Sequence, residues 1–151
     1  MSFVRAVAKH LTRDPGGITG LTFAEATTTG NVFVGMMPSS PDVAVAILPQ
    51  PGAPQLTSAP TDLPGLQVIV RGAVDDYPGP EAMAAAIIAD LTCLDGVWLD
   101  QDGDDEVWLI GMTAAQSTAA HTGLDPNRRH EFFANFTARI YNPTTHRPAG
   151  V

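Results

Sequence analysis

The sequence predicts an α/β (α+β) fold in which two helices pack on a mostly antiparallel sheet of about five strands. Three stretches indicate this class. The first is an alternating apolar strand that leads through prolines into a long alanine-rich helix, within residues 65–94. The others are a short amphipathic segment at the N-terminus and a regular alternation over residues 132–141. A chain of 151 residues fits one domain, so we predict a single domain over residues 1–151.

The first helix is predicted over residues 3–13. Ser2 has the side chain of a helix N-cap, and the apolar residues that follow recur at helical spacing: Phe3, Val4, Val7, Ala8 and Leu11. The Asp-Pro-Gly-Gly sequence at 14–17 ends this helix. Residues 18–29 contain few large apolar side chains, so we predict a loop or extended chain there.

Two strands are predicted next, over residues 31–37 and 43–48. The five residues between them contain two prolines, which favours a turn, and the two strands are therefore interpreted as a hairpin. Residues 49–64 contain five prolines and are predicted to form a long surface loop. Loops of this length are often functional, although a tolerated insertion is the alternative.

The central prediction is a strand over residues 66–71 followed by a helix over 80–94. Pro80 suits the first turn of a helix, and the core-facing positions recur at helical spacing: Met83, Ala84, Ile87, Ile88, Leu91 and Leu94. Another side of this helix is smooth and uncharged: Ala82, Ala85, Ala86, Ala89 and Cys93. We expect it to contact another element closely, either within the fold or across a subunit interface. Cys93, the only cysteine, is expected to pack as a small apolar residue.

The C-terminal half is predicted to contribute the remaining strands. Trp98 and Trp108 flank an acidic stretch, which indicates a hairpin with a solvated tip and a strand over 106–111. Residues 112–122 are weakly specified. The strand over 132–141 has one apolar face, formed by Phe132, Ala134, Phe136, Ala138 and Ile140. The tail over 142–151 is polar and contains prolines, and we predict that it is mobile unless a partner orders it.

The charge pattern argues against a nucleic-acid reader. The net charge is −8, and no Lys or Arg occurs between Arg13 and Arg71 or between Arg71 and Arg128. Such a chain offers no basic patch for phosphates. Neither a run of eighteen apolar residues nor the layout of a signal peptide is present, so we expect a soluble protein that is neither secreted nor bound to a membrane.

The acidic stretch is the first candidate for ligand chemistry. Asp100, Asp102 and Asp104 alternate as in an EF-hand loop, but Asp105 and Gly111 stand where that loop needs Gly and Glu. A solvated turn is the favoured interpretation, and a weak calcium site is the alternative. We predict no metal site.

The histidines give no recognisable ligand or catalytic pattern in the sequence. His10, His121, His130 and His146 are scattered, without zinc-site spacing. Ser117, His121 and Asp125 could be drawn as a triad, but the nucleophile elbow that would position them is missing. The sequence therefore predicts no catalytic residue, no cofactor and no enzymatic activity.

Two segments carry a resemblance to a known family. They read Leu63-Pro64-Gly65-Leu66-Gln67-Val68-Ile69-Val70-Arg71-Gly72, before the alanine-rich helix, and Gly123-Leu124-Asp125-Pro126-Asn127-Arg128-Arg129-His130-Glu131-Phe132-Phe133-Ala134-Asn135-Phe136. Together with the short first helix and the proline-rich middle, they resemble the minor capsid and tail terminator proteins of long-tailed bacteriophages over about residues 3–141. The length and proline content of residues 49–64 depart from the family pattern.

The resemblance implies a structural virion protein of the tail or neck, assembled in the host cytoplasm. Its subunits would form a ring, commonly hexameric, that caps the tail tube and joins it to the head. The implied partners are further copies of the chain, the tail tube protein and a head-completion or connector protein, while DNA passes through without specific binding. The alternatives are another phage neck or minor capsid protein, or a monomeric small-ligand-binding or metal-dependent enzyme domain.

The acidic stretch then has a candidate role in such a ring. We predict that its carboxylates face the lumen or rim and repel passing DNA: Asp100, Asp102, Asp104, Asp105 and Glu106. An outward-facing turn is the competing interpretation.

Overall fold

The computed structural model describes residues 1–25, 29–55 and 59–149. Within them, two helices and eight strands follow one another along the chain. The bounds are α1 (Phe3–Leu11), β1 (Val32–Val34), β2 (Ala44–Gln50), β3 (Thr61–Asp62), β4 (Gly65–Val74), α2 (Pro78–Thr92), β5 (Asp95–Leu99), β6 (Val107–Ala114), β7 (Ala120–Leu124) and β8 (Arg129–Tyr141). The predicted α+β class is confirmed, with more strands than the five expected.

Strand β8 is the centre of a single sheet. The strand order is β1-β2-β4-β8-β6-β5, with β3 and β7 also paired to β8. Along one edge of β8 lie β3 and β4, and along the other lie β6 and β7, all antiparallel to it. The thirteen residues of β8 are long enough to hold two strands on each edge.

The two helices complete one core. Helix α2 packs on β4, β6 and β8, in the middle of the sheet. Helix α1 contacts β1, β2 and β5, which lie at opposite ends of the strand order. The sheet must curl for one short helix to reach both ends, and the apolar side chains of helices and sheet form one continuous cluster inside that curl.

The predicted alternation and helix capping are confirmed. The even-numbered apolar residues of β8, from Phe132 to Ile140, are all buried, as are Leu66, Val68 and Val70 in β4. Helix α1 begins after Ser2, whose Oγ accepts a hydrogen bond from the backbone N–H of Arg5. Both helices have bounds within two residues of the predicted ones.

The predicted hairpin between β1 and β2 is wrong. The two strands are parallel neighbours, with Val32 opposite Val45 and Val34 opposite Ile47. Residues 35–43 therefore carry the chain back past the start of β1 before β2 begins. The antiparallel partner of β2 is β4, which comes later in the chain.

Part of the predicted long loop is regular structure. Pro49 and Gln50 still belong to β2, and Thr61–Asp62 forms β3 against the end of β8. The loop positions 56–58 lie outside the described residues. Proline is tolerated in a strand where its missing N–H is not needed for pairing, so five prolines did not exclude strand structure at both ends of this segment.

The C-terminal tail makes contacts through Arg147. Its guanidinium donates to the carboxylate of Asp62 at 2.7 Å and to the backbone carbonyls of Ala59 and Thr61 at 3.0 Å each. The predicted mobility of the tail remains a prediction, and positions 150–151 lie outside the described residues. None of the described helices combines the length and the apolar character needed to cross a membrane.

Candidate functional site

The acidic stretch between β5 and β6 turns two of its carboxylates inward. Asp105 accepts hydrogen bonds from the backbone N–H of Ser2 at 2.9 Å and from Arg5 Nε at 3.0 Å. Lys9 Nζ lies 2.9 Å from the carboxylates of both Asp100 and Asp105. The turn therefore holds helix α1 by its cap and its first turns.

Burial and charge both act on Asp105. Its side chain is only 7% exposed, and this burial by itself raises the pKa of its carboxyl group. The hydrogen bonds from Lys9, Arg5 and Ser2 outweigh burial, so the pKa of Asp105 is lowered and the group is ionised at neutral pH. The same contacts raise the pKa of Lys9, through its hydrogen bonds to Asp100 and then to Asp105.

The predicted solvated tip is thus correct for only part of the acidic stretch. Asp102, Asp104 and Glu106 are exposed, whereas Asp105 is buried and Asp100 is half-buried. The interpretation of Asp105 as a solvated residue is wrong because its partners lie on α1, about a hundred positions earlier in the sequence. Whether the exposed carboxylates face a lumen stays a prediction.

A second ionic contact joins the segment directly after α1 to α2. Arg13 donates from Nη1 and Nη2 to the two carboxylate oxygens of Asp90, at 3.2 and 3.1 Å. His10 Nε2 also lies 3.2 Å from Asp90, but burial and the neighbouring Arg13 lower the pKa of His10. We therefore assign the neutral imidazole, which accepts a hydrogen bond from Arg13 Nη1 at 2.9 Å.

The outer side of α2 is exposed and uncharged. All five residues predicted to form a contact surface are exposed: Ala82, Ala85, Ala86, Ala89 and Cys93. They are called the alanine face below. The expectation that Cys93 packs inside the fold is wrong, because it lies exposed at the C-cap of α2. The structure brings these side chains to one surface and makes none of them part of the core.

Two buried arginines hold the loop between β1 and β2. Arg71 is 3% exposed and donates three hydrogen bonds, from Nε, Nη1 and Nη2, to backbone carbonyls of Asp42, Pro38 and Pro41. Arg129, equally buried, donates to the carbonyl of Ser39 at 2.8 Å. Burial and the charge of Arg129 lower the pKa of Arg71.

Carboxylates balance this cationic cluster. Arg129 pairs with Asp125 at 2.8 Å and with Asp42 at 3.0 Å. Burial by itself raises the pKa of Asp125, but hydrogen bonds from the backbone and side chain of Arg129, with a further backbone bond from Asn127, lower it. The cluster fixes residues 35–43 in the path that makes β1 parallel to β2.

The histidines that are scattered in sequence are not all scattered in space. His121 Nε2 and His130 Nδ1 lie 2.9 Å apart on the paired strands β7 and β8. His121 borders a pocket of about 640 Å³ between α2 and β7, lined in part by Tyr77, Ala85 and Ser117. The triad drawn from Ser117, His121 and Asp125 does not form, since His121 contacts His130 and Asp125 binds Arg129.

Comparison with protein families identifies the chain. The model of a family described as bacteriophage tail terminator protein matches residues 16–142, most of the chain. This protein belongs to the bacteriophage tail terminator family. No curated protein matches the chain significantly. As a tail terminator family member, it is a structural protein of the phage tail, which confirms the resemblance drawn from the two sequence segments.

Those two segments of the tail terminator chain form one structural unit. Strands β4 and β8 pair antiparallel, with Leu66 opposite Phe136 and Val70 opposite Phe132. Arg71, from the first segment, and Asp125 and Arg129, from the second, meet in the cluster around residues 35–43. The residues of the two segments thus serve the fold, and the resemblance was drawn from them without any catalytic pattern.

The close contact between β4 and the first turn of α2 explains why residue 72 is a glycine. A Cβ added to Gly72 in β4 would lie 2.6 Å from Pro80 Cγ and 2.7 Å from Pro80 Cδ. Carbon atoms in contact are normally about 3.5–4.0 Å apart, so a larger residue would push α2 away from β4.

Proposed function

We propose that this chain acts as the terminator of a phage tail, as a ring of identical subunits that caps the tail tube and joins it to the head. The main support for this proposal is the match to the tail terminator family model over residues 16–142. The partners in this proposal are further copies of the chain, six in the expected ring, the tail tube protein and a head-completion or connector protein. DNA passes through the ring without specific binding. The site of action is the tail or neck of the virion, after assembly in the host cytoplasm.

The alanine face is the proposed subunit interface. Helix α2 is apolar on nearly all sides, and its only ionisable side chains apart from Cys93 are Glu81 and Asp90. A helix that is apolar all round is normally covered on every side. The alanine face is exposed in one chain, and small side chains allow a second backbone to approach closely, so a neighbouring subunit is the cover that the proposal assigns to it.

The interface is tested by replacing Ala89 with Arg. This change puts a long charged side chain in the middle of the alanine face without touching the core, because Ala89 is exposed. Light scattering should then show loss of rings, in solution or on added tail tubes, while circular dichroism stays unchanged. The matched control is Ala53→Arg, also an exposed alanine but in the loop after β2. Equal assembly by Ala89→Arg and wild type would contradict the proposed interface.

Cys93 offers a second measurement without any mutation. It is the only cysteine of the chain and lies exposed in the alanine face. A maleimide reagent should label it readily in the monomer and much more slowly after assembly on tail tubes. Undiminished labelling in the assembled state would place the interface elsewhere.

The exposed carboxylates of the acidic stretch are proposed to line the lumen or rim. The proposal now rests on Asp102, Asp104 and Glu106, since Asp100 and Asp105 bind α1. Carboxylates repeated around a ring repel DNA phosphates and one another. Water and counterions would screen the subunits from one another over a Debye length of about 8 Å at physiological salt.

Paired Asn substitutions at Asp102 and Asp104 test the lumen proposal. The doubly substituted ring should assemble normally but alter DNA retention or ejection, and Ca²⁺ should not change the melting temperature of either form. Unchanged DNA behaviour would leave an outward-facing turn. A calcium-dependent rise in melting temperature that the substitutions abolish would instead indicate a calcium site.

A further inference from the structure

His121 and His130 form a pair whose geometry goes beyond the tail terminator role. The two residues are close because β7 and β8 are paired, with His121 opposite Phe132 and Leu124 opposite His130. His121 and His130 are therefore diagonal neighbours across two antiparallel strands. Their ring centroids are 5.0 Å apart, the rings are tilted by 38°, and one nitrogen of each ring faces the other at 2.9 Å.

Neighbouring aromatic rings restrain this pair. Tyr77, at the start of α2, packs edge-on against both imidazoles with centroid distances of 5.2 Å. Phe132 lies 4.9 Å from His121 and 5.2 Å from Tyr77. Both rings therefore have a defined orientation before any ligand binds. His121 remains exposed and His130 half-buried, so solvent reaches the pair.

The separation of the two nitrogens fits one type of metal coordination. Two imidazole nitrogens bound at about 2.0–2.1 Å and at right angles around one ion are about 2.9 Å apart, whereas a tetrahedral ion separates them by about 3.4 Å. The distance in this chain is 2.9 Å. Right-angled coordination by nitrogen and oxygen is typical of Cu²⁺ and Ni²⁺.

We propose that His121 Nε2 and His130 Nδ1 bind one divalent transition-metal ion that prefers right-angled coordination, Cu²⁺ or Ni²⁺, with water at the remaining positions. In the metal-free pair, one of the facing nitrogens carries a proton that it donates to the other. Binding moves that proton to the second nitrogen of the same ring, so both facing lone pairs become available without net proton release. Each ring must also turn, because the ion lies beside the line between the nitrogens and each facing lone pair must point about 45° away from that line.

The number of protein ligands determines how tightly the site is expected to bind the ion. Within residues 1–25, 29–55 and 59–149, no group of three or more His, Cys, Asp or Glu side chains is placed to hold a metal ion. A site with two protein ligands binds more weakly than a three- or four-ligand site, so the ion should exchange readily. Binding would link β7 to β8 at the edge of the pocket beside α2 and would therefore raise the melting temperature.

Calorimetric titration of the untagged full chain with Ni²⁺ tests the proposal. At about pH 7.5 wild type should bind one equivalent of Ni²⁺. His121→Asn and His130→Gln should each lower the affinity by at least about tenfold, because each removes one of two ligands. The matched control is His146→Gln, an exposed histidine in the tail, which should bind as wild type does. Mg²⁺, which prefers oxygen ligands, should not bind there.

A spectroscopic measurement on wild type avoids any dependence on the variants. Electron paramagnetic resonance of the Cu²⁺ complex should show two equatorial nitrogen ligands, and the signal should change in the single variants. Ni²⁺ binding by the double variant His121→Asn/His130→Gln equal to that of wild type would overturn the proposal. So would the absence of binding by wild type, or a Cu²⁺ spectrum with fewer than two nitrogen ligands.

Discussion

Replacing Asp105 with Asn removes the charge that holds α1 while keeping the size of the side chain. The carboxylate is 7% exposed and has three donors, whereas Lys9 and Arg5 are 23% and 43% exposed. Breaking a fully buried ion pair from one side costs about 3–5 kcal/mol. Since the cations are partly solvated and Lys9 keeps Asp100, we expect a loss of about 2–3 kcal/mol in the free energy of unfolding.

Thermal unfolding measured by near-UV circular dichroism checks this expectation. A chain of this length loses about 2–4 °C per kcal/mol, so Asp105→Asn should melt about 4–12 °C below wild type. The matched control is Asp104→Asn, an exposed residue next to it in the same turn, which should stay within about 0.5 kcal/mol of wild type. Equal effects of the two substitutions, or no effect of either, would refute the assignment of Asp105 as the anchor of α1.

The difference in free energy of unfolding between wild type and Asp105→Asn should also depend on pH, which gives a further check. The pKa of Asp105 is lowered in the folded state from an ordinary value of 3.8. Its contribution is therefore fully present above that value and is lost as the pH falls through the lower, folded-state pKa. The stability difference between wild type and Asp105→Asn should be constant from about pH 7 to 5 and should shrink below about pH 4. A difference that persists undiminished in acid would show that the ionised carboxylate is not its origin.

Three further substitutions test the contacts that β4 and β8 make with the loop, with α2 and with the core. Arg71→Lys should lower the free energy of unfolding by about 2–3 kcal/mol, because an ammonium group cannot reproduce the three guanidinium hydrogen bonds to loop carbonyls. Amide hydrogen exchange over residues 32–45 should accelerate in this variant. Unchanged exchange would contradict the role of Arg71 as an anchor of the loop. Gly72→Ala should cost about 1–3 kcal/mol in urea unfolding through its clash with Pro80. Its control is Gly111→Ala, where no heavy atom lies within 4 Å of the added Cβ, and equal losses in the two variants would exclude the clash as the cause. Phe136→Ala should cost about 3–5 kcal/mol by calorimetry, since the ring is 1% exposed at the centre of β8, and a loss below 1 kcal/mol would show that the core is not packed around it.

The sequence by itself determined the elements whose patterns are local. Helix α1 follows from a cap and a stripe within eleven residues, and β8 follows from an alternation in which every second side chain is apolar. In these segments the same residues that favour a conformation also form its buried face, so neighbours in sequence are sufficient evidence. The uncharged outer side of α2 could be predicted for the same reason, because residues on one helix face recur at fixed spacing.

Short and weakly patterned strands could not be predicted in this way. Strand β7, Ala120–Leu124, has no buried apolar alternation and exists because the edge of β8 offers it hydrogen bonds. Strand β3 has only two residues and depends on the C-terminal end of β8, along the edge opposite to the one that β7 occupies. Their backbone pairing, which is independent of side-chain type, is what stabilises them.

Only the tertiary structure decided which distant residues meet. Arg71 and Arg129 donate hydrogen bonds to backbone carbonyls of residues 35–43 and hold this segment in place. Strand β1 is therefore parallel to β2, whereas the short proline-containing turn in the sequence predicts a hairpin. Asp105 is buried because α1 brings Lys9 and Arg5 to it from the other end of the chain. His121 and His130 become a pair through strand register. Charge and hydrogen-bond partners act through space, so a sequence shows which groups are present, while the curl of the sheet determines which of them are neighbours.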